Sequence, residues 1–206
     1  MERREHWENV YNTKPPDAVS WYRPHLETSF VLIERVCPGR KCSVIDVGGG
    51  EATLVDDLVE AGYRDVTVLD LSEKALLVAR ERLGTRAAAV TWTQGDITLS
   101  RLEPARYDVW HDRAVFHFLT SPADRQRYVS QVAWSVQPGG YVIVATFGPE
   151  GPDKCSGLPV ARYDAEGLHH QFGAKFQLME SSNEIHTTPF GTTQQFVYCL
   201  CRIDAA

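Results

Sequence analysis

The most chemically suggestive run in the chain is Val44-Ile45-Asp46-Val47-Gly48-Gly49-Gly50, an apolar segment ending in an acid and three glycines. Glycines there let the chain turn sharply and bring bare backbone against a ligand at a strand's C-terminal edge. A dinucleotide would place its pyrophosphate on such a turn, but the Asp46 carboxylate repels phosphate and suits a positively charged group. Alone, the loop equally serves as a tight strand-to-helix turn. Three other apolar runs also end in polar residues. Asp70 closes Val66-Thr67-Val68-Leu69 and lies 22 residues after Gly48 (70 − 48), where an acid can accept hydrogen bonds from both hydroxyls of a ribose. Asp96 follows Trp92-Thr93-Gln94-Gly95; it can accept the amino hydrogens of an adenine while Ile97 lies on the base. His111-Asp112-Arg113 ends the run Tyr107-Asp108-Val109-Trp110. A neutral imidazole is matched to proton transfer near neutral pH, which makes His111 and His117 the candidate general bases. His117 sits in Val115-Phe116-His117-Phe118-Leu119, which suits a buried structural histidine equally well. Arg113 can bind an acidic substrate group or pair with Asp108 or Asp112.

The elements that must hold these residues follow from the hydrophobic pattern. Strands are expected at Ser43–Val47, Val66–Asp70, Val90–Gln94, Tyr107–His111 and Tyr141–Phe147, with later ones near Phe176–Ile185 and Gln194–Ile203. Helical spacing marks Thr53–Ala61, Glu73–Leu83 and Ala123–Val136. Ser72-Glu73 opens a helix and Gly84 ends it. Pro122 suits a first helical turn, and Pro138-Gly139-Gly140 is expected to break that helix and turn the chain into the fifth strand. Strand–helix alternation implies right-handed crossovers and a doubly wound, mostly parallel α/β sheet. The last two runs flank Thr187-Thr188-Pro189-Phe190-Gly191-Thr192-Thr193 with no helix between them, so the sheet is expected to finish in a hairpin and one antiparallel strand.

In this order and spacing, the stretches around Asp46–Gly50, Asp70, Asp96 and His111–Arg113 resemble the class I S-adenosylmethionine-dependent methyltransferases. The resemblance covers about residues 40–147 well and the terminal hairpin moderately. It implies a seven-stranded Rossmann-like sheet of order 3-2-1-4-5-7-6 with its last strand antiparallel. It implies that Asp46, Gly48, Gly49 and Gly50 line the methionine end of S-adenosylmethionine, and that Asp70 binds the ribose with Leu71 beside the adenine. Asp96 and Ile97 complete the adenine pocket, and His111, Asp112 and Arg113 face the sulfonium and the acceptor. S-adenosylhomocysteine is the implied product. One departure is Ala52, which stands where the family usually has another glycine. The whole of residues 1–206 is expected to form one methyltransferase domain, with 40–206 as the core and 1–35 as a helical cap. Trp7, Tyr11, Trp21 and Tyr22 crowd that cap; as a lid, Tyr11 and Trp21 would touch the cofactor, and otherwise they anchor the sheet edge.

Composition narrows the partners. The net charge of −6 argues against a nucleic-acid footprint. The stretch after the fourth strand also lacks the Asn/Asp-Pro-Pro-aromatic segment of base-modifying relatives. No apolar run approaches the roughly 20 residues that span a bilayer, and the charged start Met1–Trp7 does not resemble a secretory signal. The five cysteines, Cys37, Cys42, Cys155, Cys199 and Cys201, lack paired CxxC spacing, so they are read as reduced thiols in a cytoplasmic protein without a metal site. Cys199 and Cys201 would share one strand face as small core residues. The expected activity is methyl transfer to an oxygen, nitrogen or sulfur nucleophile of a small molecule, by a monomer or weak homodimer. A protein-lysine acceptor is the alternative. A non-catalytic cofactor-binding module and an NAD-dependent oxidoreductase are the rivals from other classes. The irregular stretch 147–160 after the fifth strand is expected to shape the acceptor pocket, and Cys155 lies within it.

Overall fold

A computed structural model describes residues 2–205; Met1 and Ala206, part of the single unit expected above, lie outside the described residues. Two helices, α1 (Glu2–Thr13) and α2 (Glu27–Val36), precede the first strand. The chain then alternates through β1 (Ser43–Val47), α3 (Leu54–Ala61), β2 (Asp65–Asp70), α4 (Glu73–Leu83), β3 (Val90–Gln94), β4 (Tyr107–Arg113), α5 (Pro122–Ser135) and β5 (Val136–Phe147). A short two-stranded ribbon, β6 (Lys154–Cys155) and β7 (Leu158–Pro159), and α6 (Ala165–Phe172) lead into the hairpin β8 (Phe176–Thr187) and β9 (Thr193–Ile203).

The main sheet has seven strands in the order β3-β2-β1-β4-β5-β9-β8. Setting the ribbon aside, this is the expected 3-2-1-4-5-7-6 arrangement. β9 runs antiparallel to both neighbours, inserted between β5 and β8. The inner strands are largely apolar because both faces are covered, and alternate residues feed different cores, whereas the edge strand β8 is mostly polar and exposed. Val44, Val66, Val68 and Ile143 pack under α2 and α3 with Leu32, Ile33, Leu54 and Leu58. Ile45, Val47, Trp110 and Val142 pack under α5 and α6 with Tyr128, Val132 and Leu168. Cys199 and Cys201 belong to this second core as buried free thiols.

Helix ends follow the sequence closely. The Ser72 hydroxyl accepts from the Ala75 N–H at 3.1 Å, and Gly84 terminates α4. α5 ends at Ser135, ahead of Pro138-Gly139-Gly140 as expected, but the turn falls within β5, which starts at Val136 rather than Tyr141; Val136 pairs with Tyr107 before a register shift that leaves Pro138, Gly139 and Gly140 out of the ladder. The cysteine reading also needs correction: Cys37 and Cys42 form a disulfide across the link between α2 and β1, and three cysteines are free. No described helix is long and apolar enough to cross a membrane.

Candidate functional site

The C-terminal ends of β1, β2, β3 and β4 meet at the centre of the sheet, where strand order reverses and open α/β sheets bind ligands. Two clefts open there. The larger holds about 790 Å³ and is lined by Gly48, Asp70, Leu71, Asp96, Ile97, Arg113 and Val115, with Trp7, Phe118 and Cys155 on its far side. The smaller holds about 530 Å³ and is lined by Asp46, Gly48, Gly49, Glu51, His111, Arg23 and Arg113. Tyr11, Trp21, Gly48 and Arg113 border both.

Two glycines make the loop possible. Gly48 has φ +71°, and a Cβ there would sit 2.0 Å from Val115 Cγ2. Gly50 has φ +45°, and a Cβ would come within 3.0 Å of both Asp70 Oδ2 and the Tyr11 hydroxyl. The ribose candidate and the lid tyrosine therefore lie against the same glycine. Asp70 Oδ1 accepts from the Ser72 N–H at 2.8 Å. Burial, helped by Asp46, Glu8 and Glu51, pushes its carboxyl up to about 7. Asp96 Oδ1 is taken by the Thr98 N–H (2.8 Å) and hydroxyl (2.7 Å), and Ile97 is buried beside it.

The three residues at the end of β4 do not act together. Strand alternation sends His111 and Arg113 toward the clefts and Asp112 to the opposite face. Asp112 lines neither cleft. Its carboxylate accepts from the N–H groups of Val115 (2.8 Å) and Phe116 (3.0 Å) and from the Tyr128 hydroxyl (2.5 Å). It thus holds the turn that carries Val115 and Phe118, and burial pushes its carboxyl up to about 6 despite these donors.

Both candidate bases are engaged in the frame. His111 is 1 % exposed; its Nδ1 bonds Asp46 Oδ1 at 2.7 Å and its Nε2 bonds the Ser29 hydroxyl at 2.9 Å. His117 lines neither cleft; its ring packs between Phe118 and Phe147, with Nδ1 accepting from the Phe147 N–H at 3.3 Å. Burial, with Arg113 adding to it, drives its pKa down to about 3, so it is neutral near pH 7.

Arg113 is held on every side. It donates to the Tyr198 hydroxyl (3.1 Å), the Trp21 carbonyl (3.3 Å) and Glu184 (3.4 Å), and its guanidinium lies 4.1 Å from the centre of the Phe196 ring. Arg23 pairs with the same Glu184 at 3.1 Å. Burial opposes ionisation of Glu184, but the Thr28 hydroxyl and the two arginines outweigh it and lower its pKa. Ser29, Tyr198 and Glu184 were not among the sequence candidates. They reach the site from α2, β9 and β8 over long sequence separations and carry no local signal. Glu51 was also missed, although a charged residue directly after the glycines was a visible cue.

The aromatic segment closes over the larger cleft. Trp7 meets Phe118, Trp21 and Tyr11 with ring centres 5.1, 5.7 and 6.0 Å apart. Glu8 fastens α1 to the start of α4, accepting from the Glu73 N–H at 2.7 Å and the Ser72 hydroxyl at 2.9 Å. That helix terminus favours an anion. Cys155 is buried in the cleft wall, and burial pushes its thiol up to about 12.

Residues 44–140 match the family model described as a methyltransferase domain. The chain is 25 % identical over 142 residues to the eEF1A lysine and N-terminal methyltransferase of Mus musculus, an alignment covering 66 % of this chain and 20 % of that protein. The chain thus spans about a fifth of the length of that curated relative. It is similar in fold to a structure solved for the conversion of a disulfide bond into a thioacetal group during echinomycin biosynthesis, with TM-score 0.76 and 20 % identity, covering 98 % of this chain and 93 % of that one. It is also similar to the Burkholderia thailandensis 1,6-didemethyltoxoflavin-N1-methyltransferase with bound 1,6-didemethyltoxoflavin and S-adenosylhomocysteine. There the TM-score is 0.68 at 18 % identity, covering 98 % of this chain and 84 % of the other.

Proposed function

We propose that this chain, which carries a methyltransferase domain on the class I S-adenosylmethionine-dependent fold, transfers a methyl group to an oxygen, nitrogen or sulfur nucleophile of a small molecule. The cofactor fits the residues present. Asp70, Leu71, Asp96 and Ile97 offer a ribose and adenine site in the larger cleft, and Gly48 leads into the smaller one. In the smaller cleft the buried Glu51 carboxylate has no hydrogen-bond partner among the described residues, which suits a ligand carrying a cationic group. When bound, the cofactor supplies an electrophilic methyl on a sulfonium.

The chain's own part is alignment and exclusion of water. Trp7, Trp21 and Phe118 cover the cleft, and Arg113 stands at the junction of the two clefts, fixed by Tyr198, Trp21 and Glu184. Neither histidine presents a ring nitrogen to an acceptor in the clefts: His111 is bonded on both sides, and His117 Nε2, although without a hydrogen-bond partner among the described residues, is buried and lines neither cleft. The reading therefore requires an acceptor that arrives with its lone pair available.

The observation that carries the acceptor class is the wall of Trp7, Trp21 and Phe118 beside Arg113. Aromatic faces accept flat apolar bodies and cations alike. With the guanidinium already paired to Glu184, the wall offers chiefly its aromatic faces, which supports a flat apolar body as acceptor. A protein-lysine acceptor is the second reading, supported by the mouse relative, which is named for lysine and N-terminal methylation. Free buried Cys155, Cys199 and Cys201 support a cytoplasmic setting; the Cys37–Cys42 bond does not. The test is labelled S-adenosylmethionine with a cell extract split into metabolite and protein fractions. Label in the metabolites is expected, and label confined to protein overturns the small-molecule reading.

A further inference from the structure

Cys37 and Cys42 are joined across the link between α2 and β1, and the other three cysteines differ from them in setting. Cys155, Cys199 and Cys201 are buried, and burial pushes their thiols up to about 12, 11 and 12 respectively, which keeps them in the unreactive protonated form. The bonded pair instead flanks Pro38-Gly39-Arg40-Lys41, all four exposed. Within this loop the Arg40 N–H donates to the Cys37 carbonyl at 3.1 Å. Arg40 has φ +54°, a left-handed conformation that is costly for a residue other than glycine. Disulfides in exposed or strained settings are the ones that open under mild reduction. The bond also closes a ring. Ser29 lies eight residues before Cys37 on α2 (37 − 29), and Asp46 lies four residues after Cys42 on β1 (46 − 42). His111 bonds both of them, at 2.9 and 2.7 Å. The same two elements are therefore clamped twice, by the disulfide at one end and by His111 at the other, where Asp46 and His111 line the smaller cleft.

We propose that Cys37 and Cys42 form a reversible dithiol–disulfide pair that tunes cofactor binding by fixing or freeing α2 against β1. The inference rests on the cofactor reading above. Oxidation starts at Cys42, which is half-buried, because Cys37 is only 2 % exposed. The Cys42 thiolate attacks a small-molecule disulfide of the glutathione type, forming a mixed disulfide and expelling one glutathione thiolate; the Cys37 thiolate then displaces the second. Two protein thiols are oxidised, one glutathione disulfide is reduced to two thiols, and the two protein protons pass to the departing thiolates. With the bond closed, α2 is tied at both ends. With it open, the C-terminal end of α2 keeps the hydrogen bond from the Tyr63 hydroxyl to the Cys37 carbonyl (3.3 Å) and the exposed Arg35–Glu180 ion pair. Ser29 and Thr28 carry the change to the clefts, the first through His111 and Asp46, the second through Glu184 and Arg113.

The experiment equilibrates the wild-type protein with mixtures of reduced and oxidised glutathione, quenches exchange in acid, and labels every free thiol with N-ethylmaleimide in denaturant. Mass spectrometry of the digested chain then locates the label, and calorimetry with S-adenosylhomocysteine is run on the two end states. Cys155, Cys199 and Cys201 are expected to be labelled throughout. Cys37 and Cys42 are expected to gain label together toward the reducing end and to lose it again on return. The reduced protein should bind S-adenosylhomocysteine about fivefold more weakly, the low end of the coupling usual between two sites. The double variant C37A/C42S should match the reduced protein at every glutathione ratio. A pair that stays closed, or stays open, across the whole range overturns the proposal, as does equal affinity of the two end states. Both results come from the wild-type protein, so they stand even if the variant fails to fold. Binding by neither end state overturns the cofactor reading instead, and the thiol labelling still reports on the pair.

Discussion

Asp70 makes cofactor affinity depend on pH in a way that can be calculated in advance. In the free protein its carboxyl is pushed up to about 7, chiefly by burial, with Asp46, Glu8 and Glu51 adding to the effect. Ribose hydroxyls donate to the ionised form, so binding selects it and lowers its pKa. With a midpoint near 7, the group is about nine-tenths ionised at pH 8 and about one-tenth at pH 6, which predicts affinity about tenfold weaker at pH 6. The analogue of S-adenosylhomocysteine that lacks the α-amino group is the ligand of choice, because it removes a second ionisable group from the titration. Dissociation constants at half-unit steps from pH 6 to 8 should fall on a single-proton curve. Asp70→Asn should flatten that curve and weaken binding at pH 8 by about 10- to 100-fold. Stability runs the other way. A carboxyl whose folded pKa is raised stabilises the fold below its unfolded pKa, and that contribution is lost as pH rises through about 7. The ligand-free protein should therefore lose this contribution to its Tm toward pH 8 while the ligand-induced shift grows. Affinity that is flat from pH 6 to 8, or that improves on acidification, would refute the reasoning.

Three other substitutions probe the frame. Gly48→Ala puts a methyl group 2.0 Å from Val115 Cγ2 at φ +71°, so a stability loss of about 2–4 kcal/mol is expected; chemical denaturation measures it, and Val115→Ala should restore part. Glu8→Ala removes the carboxylate at the start of α4, with a cost of about 1 kcal/mol and faster proteolysis within residues 2–13; unchanged proteolysis would show that the aromatic contacts alone hold α1. His111→Ala strands Asp46 and Ser29 and should cost about 2–4 kcal/mol in stability, without displacing the pH midpoint of methyl transfer; a displaced midpoint with unchanged stability would make His111 a base after all.

The parts of the fold that could be read from sequence are those where one rule dominates. Doubly covered strands such as Val66–Asp70 are buried along their length and mostly apolar, and α4 carries its own start and stop in Ser72 and Gly84. The closing hairpin shows as two strand runs with no helix between them. Pro138 marks the end of α5 correctly but not the start of β5, because a proline is tolerated in a strand where its missing N–H is not needed, and β5 carries it through the irregular stretch of its pairing with β4. Asp112 misled for a different reason. Placing His111, Asp112 and Arg113 all at the cleft ignores the two-residue period of the strand they end, which sends the middle one to Tyr128. The Cys37–Cys42 bond depends on the geometry of the link between α2 and β1, which cysteine spacing alone does not reveal.

The polar groups at the centre of the molecule divide by whether they have partners. Asp46, His111, Ser29, Tyr198, Arg113 and Glu184 form one continuous chain of hydrogen bonds and ion pairs across β1, β4, α2, β9 and β8. Buried polar groups that satisfy one another rigidify a site and withdraw from its chemistry. The residues that looked most catalytic in the sequence are therefore the ones the fold uses to hold itself in register. What remains for a ligand is the unsatisfied remainder: the Glu51 carboxylate, the ionisable Asp70, and aromatic faces at Trp7, Trp21 and Phe118. On the proposed cofactor reading both carboxylates are taken up by the cofactor, which leaves no base for an acceptor. That reading predicts faster labelling of thiolates, acidic phenols and ring nitrogens than of aliphatic alcohols that need a proton removed, a difference that competition between such acceptors for labelled S-adenosylmethionine would measure.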